Sequence, residues 1–309
     1  MAEFDARLLR LPAGEGAAWI ARAYLDDAAD AAARLHDRRD TEALHDFRVA
    51  IRRLRVAVSA YPALRDAMSH KQRRRLRTLA HATNAARDAE VQLAWLNEGS
   101  SRFSAAEHHA LAPLRARIRA RRRREEARTR EKLEERFKRV SRKLRRGLAV
   151  LETTGPQPRF AATATSVLMR QVEDLRARLS GVTAVWQVAE LHAARIAAKK
   201  LRYLLEPLRE HVAPADPLVD RLRQLQDLLG EIHDAHVLSE ELDRAGISTA
   251  SERLAAELQS RFAGLKRDWL SAGQELQRAV RAVIHALRPS PSRPHAARRR
   301  DRLGRSLVG

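Results

Sequence analysis

No cysteine occurs among the 309 residues, so disulfides and thiolate metal sites are excluded and a reducing compartment is compatible with the chain. Aromatic residues are scarce, at six Phe, four Trp and three Tyr, which argues against recognition of single-stranded nucleic acid by base stacking. No apolar run approaches the roughly 18 residues of a membrane span. The N-terminal stretch MAEFDARLLRLPAGEG has no continuous apolar segment of the signal-peptide kind. The expectation is a soluble, cytoplasmic protein without membrane contact. Sustained alternation of β-branched residues is also missing, so no strands are expected. Catalytic signatures are absent: there is no Gly-x-Ser-x-Gly, no phosphate-cradling Gly-rich loop, no HExxH, and no duplicated carboxylate pair to hold Mg²⁺ among the basic residues. A non-enzyme with no cofactor and no bound metal is therefore expected.

Acidic residues are outnumbered. Sixty Lys and Arg against 39 Asp and Glu give a net charge of +21 and a pI near 11.4. That balance favours polyanionic partners, although charge alone does not choose among DNA, RNA, anionic lipid and inorganic polyphosphate.

One stretch organises the rest. Leu44 to Arg55 reads LHDFRVAIRRLR, and Leu191 to Arg202 reads LHAARIAAKKLR, with six of twelve positions identical at a constant offset of 147 residues. This is an internal duplication. On a helix, His45, Arg48, Arg52 and Arg55 fall within about one quarter of the circumference. Leu44, Phe47, Ala50, Ile51, Leu54 and Val58 fill the adjoining sector and should face a core. His192, Arg195, Lys199 and Arg202 repeat the stripe, backed by Leu191, Ala194, Ala198 and Leu201. Each half thus presents a cationic ridge. Arginine matches phosphate oxygens with a planar fork of donors, and lysine adds a point charge. A row of them along a helix can follow successive phosphates. Arg53 and Lys200 lie off the main stripe, where a neighbouring helix can meet them.

These residues resemble the CHAD domain, a conserved-histidine α-helical family. Its signature is a His, two residues, an Arg, then a basic run ending in Leu-Arg. Here it is His45, Arg48, Arg52, Arg53, Leu54 and Arg55, and again His192, Arg195, Lys199, Lys200, Leu201 and Arg202. A second element resembles Leu225, Gly230, His233, Asp234 and Val237, matched in the first half by Leu79, Asn84, Arg87, Asp88 and Val91. Asn84 departs from the usual Gly, and His233 from the usual Asn or Arg. If the Gly serves close helix approach, the first half must pack differently there. The resemblance covers roughly residues 14 to 288. It implies an all-α fold of two four-helix bundles, built from long antiparallel helices and related by pseudo-two-fold symmetry, with the motif helices lining a shared basic cavity. It also implies inorganic polyphosphate as ligand and association with intracellular polyphosphate granules.

In chain order, residues 1 to 13 form a short arm. Helices are then expected over about Gly14–Asp37, from a Thr41 cap to Pro62, over Ser69–Trp95, Ala105–Leu151, Phe160–Ser180, Val185–His211 and Pro217–Leu242, and from a Thr249 cap to Leu287. Gly155, Pro156 and Pro158 mark a boundary between a first unit at 14–154 and a second at 159–288. Residues 289–309 form a basic tail with no apolar face, expected to be disordered. The run of Arg and Glu in the fourth helix reads first as a solvated face with i,i+4 pairs, and second as part of an anion site.

His45 and His192 open the ridges, either as structural histidines at a helix start or as phosphate donors. Neither stands in a metal-ligand pattern, and the pair His233 and His236 is a weak one. In the flanking helices, Arg77 and Arg223 are candidate ligand contacts. Asp88 and Asp234 are expected to hold the motif cations in place. The expected polyphosphate site is therefore His45, Arg48, Arg52, Arg53, Arg55, Arg77, His192, Arg195, Lys199, Lys200, Arg202 and Arg223. Nucleic acid is the alternative partner, a metal-dependent phosphate enzyme a more distant one, and a homo-oligomer is compatible with the sequence.

Overall fold

A computed structural model describes residues 4–37, 39–98, 104–151, 156–244, 246–270 and 273–287. Among them are the helices α1 (Ala13–Arg34), α2 (Ala43–Ala60), α3 (Pro62–Asp66), α4 (His70–His81), α5 (Asn84–Glu98) and α6 (Ala105–Val150) of the first half. The second half has α7 (Phe160–Ser180), α8 (Val188–Leu205), α9 (Ala215–Arg244), α10 (Ser248–Leu265) and α11 (Gly273–Leu287). The all-α class holds: the described residues form no strand beyond an isolated bridge between Pro12 and Arg159. None of their helices is long and apolar enough to cross a membrane.

The apolar periodicity read from the sequence becomes the packing. In α1 the small residues Ala17, Ala21, Ala28 and Ala32 are buried with Leu25, which lets α2 lie close against them. Phe47, one residue before Arg48, is fully buried edge-on to Phe137 of α6, with centroids 5.3 Å apart and planes at 88°. An aromatic pair of this geometry adds about 0.5–1.5 kcal/mol beyond area burial. It anchors α2 from behind and leaves the basic stripe to face elsewhere. In the first half, α1 packs on α2 and α6, α4 on α2 and α6, and α5 on α6. In the second, α7 packs on α8 and α11, α8 on α9, and α9 on α10. Across the halves the pairs are α1 with α7, α2 with α8, and α5 with α9.

Several expectations need correction. The arm before α1 is docked: Phe4 and Leu8 are buried, a 3₁₀ turn spans Ala6–Arg10, and the Phe4 carbonyl meets His211 Nε2. Asp40, not Thr41, caps α2, its Oδ1 accepting from the amides of Glu42 (3.1 Å) and Ala43 (2.9 Å). The helix expected over Ser69–Trp95 is two helices. The Ala82 carbonyl accepts from Thr129 of α6 (3.0 Å), while the buried Thr83 hydroxyl donates to Ala80 O (2.9 Å). These side-chain bonds take the place of the helical ladder and break the chain between α4 and α5. In the second half α9 runs unbroken through the matching Gly230. Helix α8 is shorter than expected and ends in a 3₁₀ turn at Glu206–Leu208. Helix α10 starts at Ser248 and passes into a π-helical turn at Lys266–Leu270 before α11. The boundary residue Gly155 and the basic tail lie outside the described residues.

The arginine run of α6 is only partly a solvated face. Arg130 is inserted among the carbonyls of Leu35 (3.1 Å), Asp37 (3.0 Å) and Asp40 (2.7 Å), and Arg115 donates to Leu96 O at 2.8 Å. Arg117 and Arg121 both reach Glu241 of α9, at 2.9 and 3.4 Å, and so join the two halves.

Candidate anion-binding site

Helices α2 and α8 lie against each other and bring the two cationic ridges together. Arg48 is only 5% exposed, while Arg52, Arg55, Arg195, Lys199 and Lys200 are half-buried. Among the described residues, none of these six cations has a carboxylate within ion-pairing distance. Arg48 makes a long bond to His45 Nδ1 at 3.5 Å, and Arg52 another to Asn84 Oδ1 at 3.5 Å. Arg48 and Arg195 occupy equivalent places in the two copies, and each has a buried Nε with no hydrogen-bond partner. A buried donor left unpaired costs about 1–3 kcal/mol. The duplicated sequence has placed the same cost at the same position twice.

Burial and mutual repulsion shape the charges. Arg48 is pulled down to about 10, first by burial and then by Arg52 and Arg87, and stays charged at neutral pH. Arg52 is lowered by burial, with Arg195 of the other half adding to the effect, and Arg55 by burial, then Arg77 and Arg52. Lys199 is brought down to about 7 by burial, then by Arg195 and Arg52. Arg52 and Lys199 thus sense each other's half of the chain.

The histidines follow the same logic. His45 and His192 are lowered by burial and then by the arginine three residues on, Arg48 and Arg195. His233 of α9 stacks near His192, with centroids 5.0 Å apart, and is held down to about 4 by burial, then by Arg195 and His192. His233 Nδ1 is a third buried nitrogen without a partner.

Asp88 and Asp234, expected to grip the motif cations, make no hydrogen bond or ion pair among the described residues. They act through charge alone. Burial raises both carboxyls against the pull of nearby arginines, Arg48 and Arg52 for Asp88, and Arg195 and Arg87 for Asp234. Asp88 also raises Asp234, so the two carboxyls, one from each half, sense each other's charge. Among the described residues no group of three or more His, Asp or Glu is placed to hold a metal ion.

Other expected residues are turned to different tasks. Arg53 and Arg202 share Glu206: Arg53 Nε meets Oε2 at 2.7 Å and Arg202 Nη1 meets Oε1 at 2.5 Å, with all three side chains at most 15% exposed. The rings of Tyr24 and Tyr203 flank Arg53, and Arg202 also donates to Gln226 at 3.1 Å. Arg223 pairs with Asp220 at 2.9 Å and lines a separate small pocket of about 150 Å³ beside Glu206. Arg77 is exposed and near Arg55.

His45 and Arg48 open onto a cleft of about 410 Å³ shared with Arg87 and Arg122, where Glu42, Glu90 and Glu126 also contribute. Arg87 pairs with Glu90 at 2.9 Å. Arg52, Arg195 and Lys199 do not line this cleft. Sequence reasoning missed Glu206, although its i,i+4 spacing from Arg202 was a signal, and the site role of Arg87, which stands beside Asp88.

These features define an all-α protein whose two duplicated helices converge on a half-buried cluster of cations with no counter-charge bonded to it. The CHAD domain profile matches residues 20–243, and the chain belongs to the CHAD domain family. Two solved structures share the fold. The CHAD domain of the plant Ricinus communis superimposes with a TM-score of 0.62 at 22% identity, covering 93% of this chain and 98% of that one. PptA from Streptomyces chartreusis superimposes with a TM-score of 0.63 at 17% identity, covering 88% of this chain and 100% of that one. No curated protein matches the chain in sequence.

Proposed function

We propose that the chain binds inorganic polyphosphate without turning it over, at the cluster formed by His45, Arg48, Arg52, Arg55, His192, Arg195 and Lys199, and that binding localises it to polyphosphate granules in the cytoplasm. The observation that carries this reading is the convergence of cations from both halves with no carboxylate bonded to them. A half-buried array of this kind is costly until an anion neutralises it. Hydrogen bonds to charged groups contribute about 1.5–3 kcal/mol each, so a few phosphates account for tight binding. Family membership supports the choice of polyphosphate over other polyanions. Arg53 and Arg202 serve the site indirectly, by holding α2 and α8 together through Glu206. We further propose that the halves, 14–154 and 159–288, are related by an approximate two-fold axis. Their parallel helix contacts and the pairing of α1 with α7 and α2 with α8 support it.

The test is competition of labelled long-chain polyphosphate against duplex DNA, RNA and nucleoside triphosphate at physiological salt, with phosphate release assayed in Mg²⁺. Selective retention without release is expected. Equal retention of DNA would replace this reading with nucleic-acid binding, and Mg²⁺-dependent release would make the protein an enzyme. Changing Arg48 and Arg195 together to Ala should weaken retention and flatten its salt dependence, because fewer counterions are released.

A further inference from the structure

A second basic surface lies outside this cluster, in a groove of about 640 Å³ between α4 and α6. Helix α4 contributes Arg74 and Arg75, and α6 contributes Arg136, Arg139, Arg142, Lys143 and Arg146; the lining contains no Asp or Glu. On α6 these cations recur every three or four residues, over a length of about 15 Å at the helical rise. Only Arg139 is ion-paired among the described residues, to Glu135 at 3.7 Å with both side chains exposed. Such a pair is worth little and is easily exchanged.

The groove is built on a fixed floor. Leu79 and Val140 are buried beneath it. Gln72 Nε2 donates to the Lys143 carbonyl at 3.1 Å and ties α4 to α6, while Gln72 and Ser69 form a capping box at the start of α4. Arg73 holds the preceding turn through Met68 O at 2.9 Å. Gly147 lets α6 come close to that turn, since a Cβ there would lie 3.0 Å from the Ala67 carbonyl oxygen.

Helix α4, one wall of the groove, also packs on α2, the helix of the first ridge. Arg55 is lowered by the charge of Arg77, and Arg77 and Arg74 are neighbours three residues apart on α4. Helix α4 thus carries basic side chains between the ridge of α2 and the groove on α6.

We propose that this groove is a second binding segment, which takes the continuation of a long polyphosphate chain after it leaves the central cluster. The identity of the ligand rests on the function proposed above; the groove itself does not. A phosphate thread fits better than nucleic acid, because no aromatic ring lines the groove to stack a base. Linking two segments on one ligand raises affinity for chains long enough to reach both, with no gain for short ones.

The test compares the full chain with the triple variant R136A/R142A/R146A, all three positions being exposed, using tripolyphosphate and long-chain polyphosphate as probes. Long-chain affinity should fall by about tenfold or more, while tripolyphosphate affinity at the central cluster stays unchanged and reports an intact fold. Unchanged long-chain affinity, or an equal loss for both probes, would overturn the proposal. The variant R48A/R195A separates the two readings. If it binds both probes like the parent while the triple variant loses long chains, the central site fails and the groove stands. Duplex DNA that displaces long-chain polyphosphate from R48A/R195A at equal phosphate concentration would overturn the choice of ligand.

Discussion

Gly230 of α9 makes room for the guanidinium of Arg195: a Cβ at this position would lie 3.1 Å from Arg195 Nη2 and 3.4 Å from its Nε. The glycine is helical, so its role is space for a cation and not backbone freedom. In the first half Asn84 stands in the matching place, at the first residue of α5, and its side chain meets Arg52 instead.

Replacing Gly230 with Ala therefore sets two effects against each other. Helix propensity gains about 0.5–1 kcal/mol, while the flexible end of Arg195 must shift by a few tenths of an ångström. Thermal stability should be equal or higher and polyphosphate affinity several-fold lower. A G230A protein with parental affinity in a titration would show that the position of Arg195 does not matter.

Glu206 is the joint between the motif helices. Glu206→Gln removes the charge of the carboxylate that Arg53 and Arg202 share, at sites no more than 15% exposed. Breaking a buried ion pair by removing one partner costs about 3–5 kcal/mol. Urea unfolding should register a loss of that order, and a change under about 1 kcal/mol would place the trio among surface pairs.

Lys199 gives the site a pH response. Its pKa is brought down to about 7 in the fold, so above that value the unfolded chain holds the proton more firmly. Stability is lost as pH falls from the ordinary lysine range to about 7, and no further below it. A bound phosphate restores the proton, so binding takes up protons above neutrality and affinity should decline as pH rises from about 7 to 9. Calorimetry in buffers of different ionisation enthalpy measures this uptake directly. In Lys199→Arg the charge is permanent, and both the uptake and the slope over this range should vanish.

Asp88 and Asp234 lie near the cations of the proposed anion site, yet bond to none of them among the described residues. Asn at both positions should raise affinity for polyphosphate several-fold and leave the fold intact, since the burial of two carboxylates is relieved. A fall in affinity in the same titration would instead make the pair organisers of the cationic side chains.

Much of this protein was legible from local periodicity. The repeated LHxxR stretches, with cations on one stripe and Leu44, Phe47, Ile51 and Leu54 on the next, determined the helical class, the doubling and the residues that form the ridges, because a helix face is set by spacing along the chain. Packing between distant segments decided the rest. Arg53 and Arg202 are diverted to Glu206, Arg48 is buried, Thr129 of α6 breaks the helix expected over Ser69–Trp95, and the basic residues of α4 and α6 meet in a groove. Desolvation and charge coupling depend on which surfaces come to face each other, and for Arg52 and Lys199 only the tertiary fold decides that.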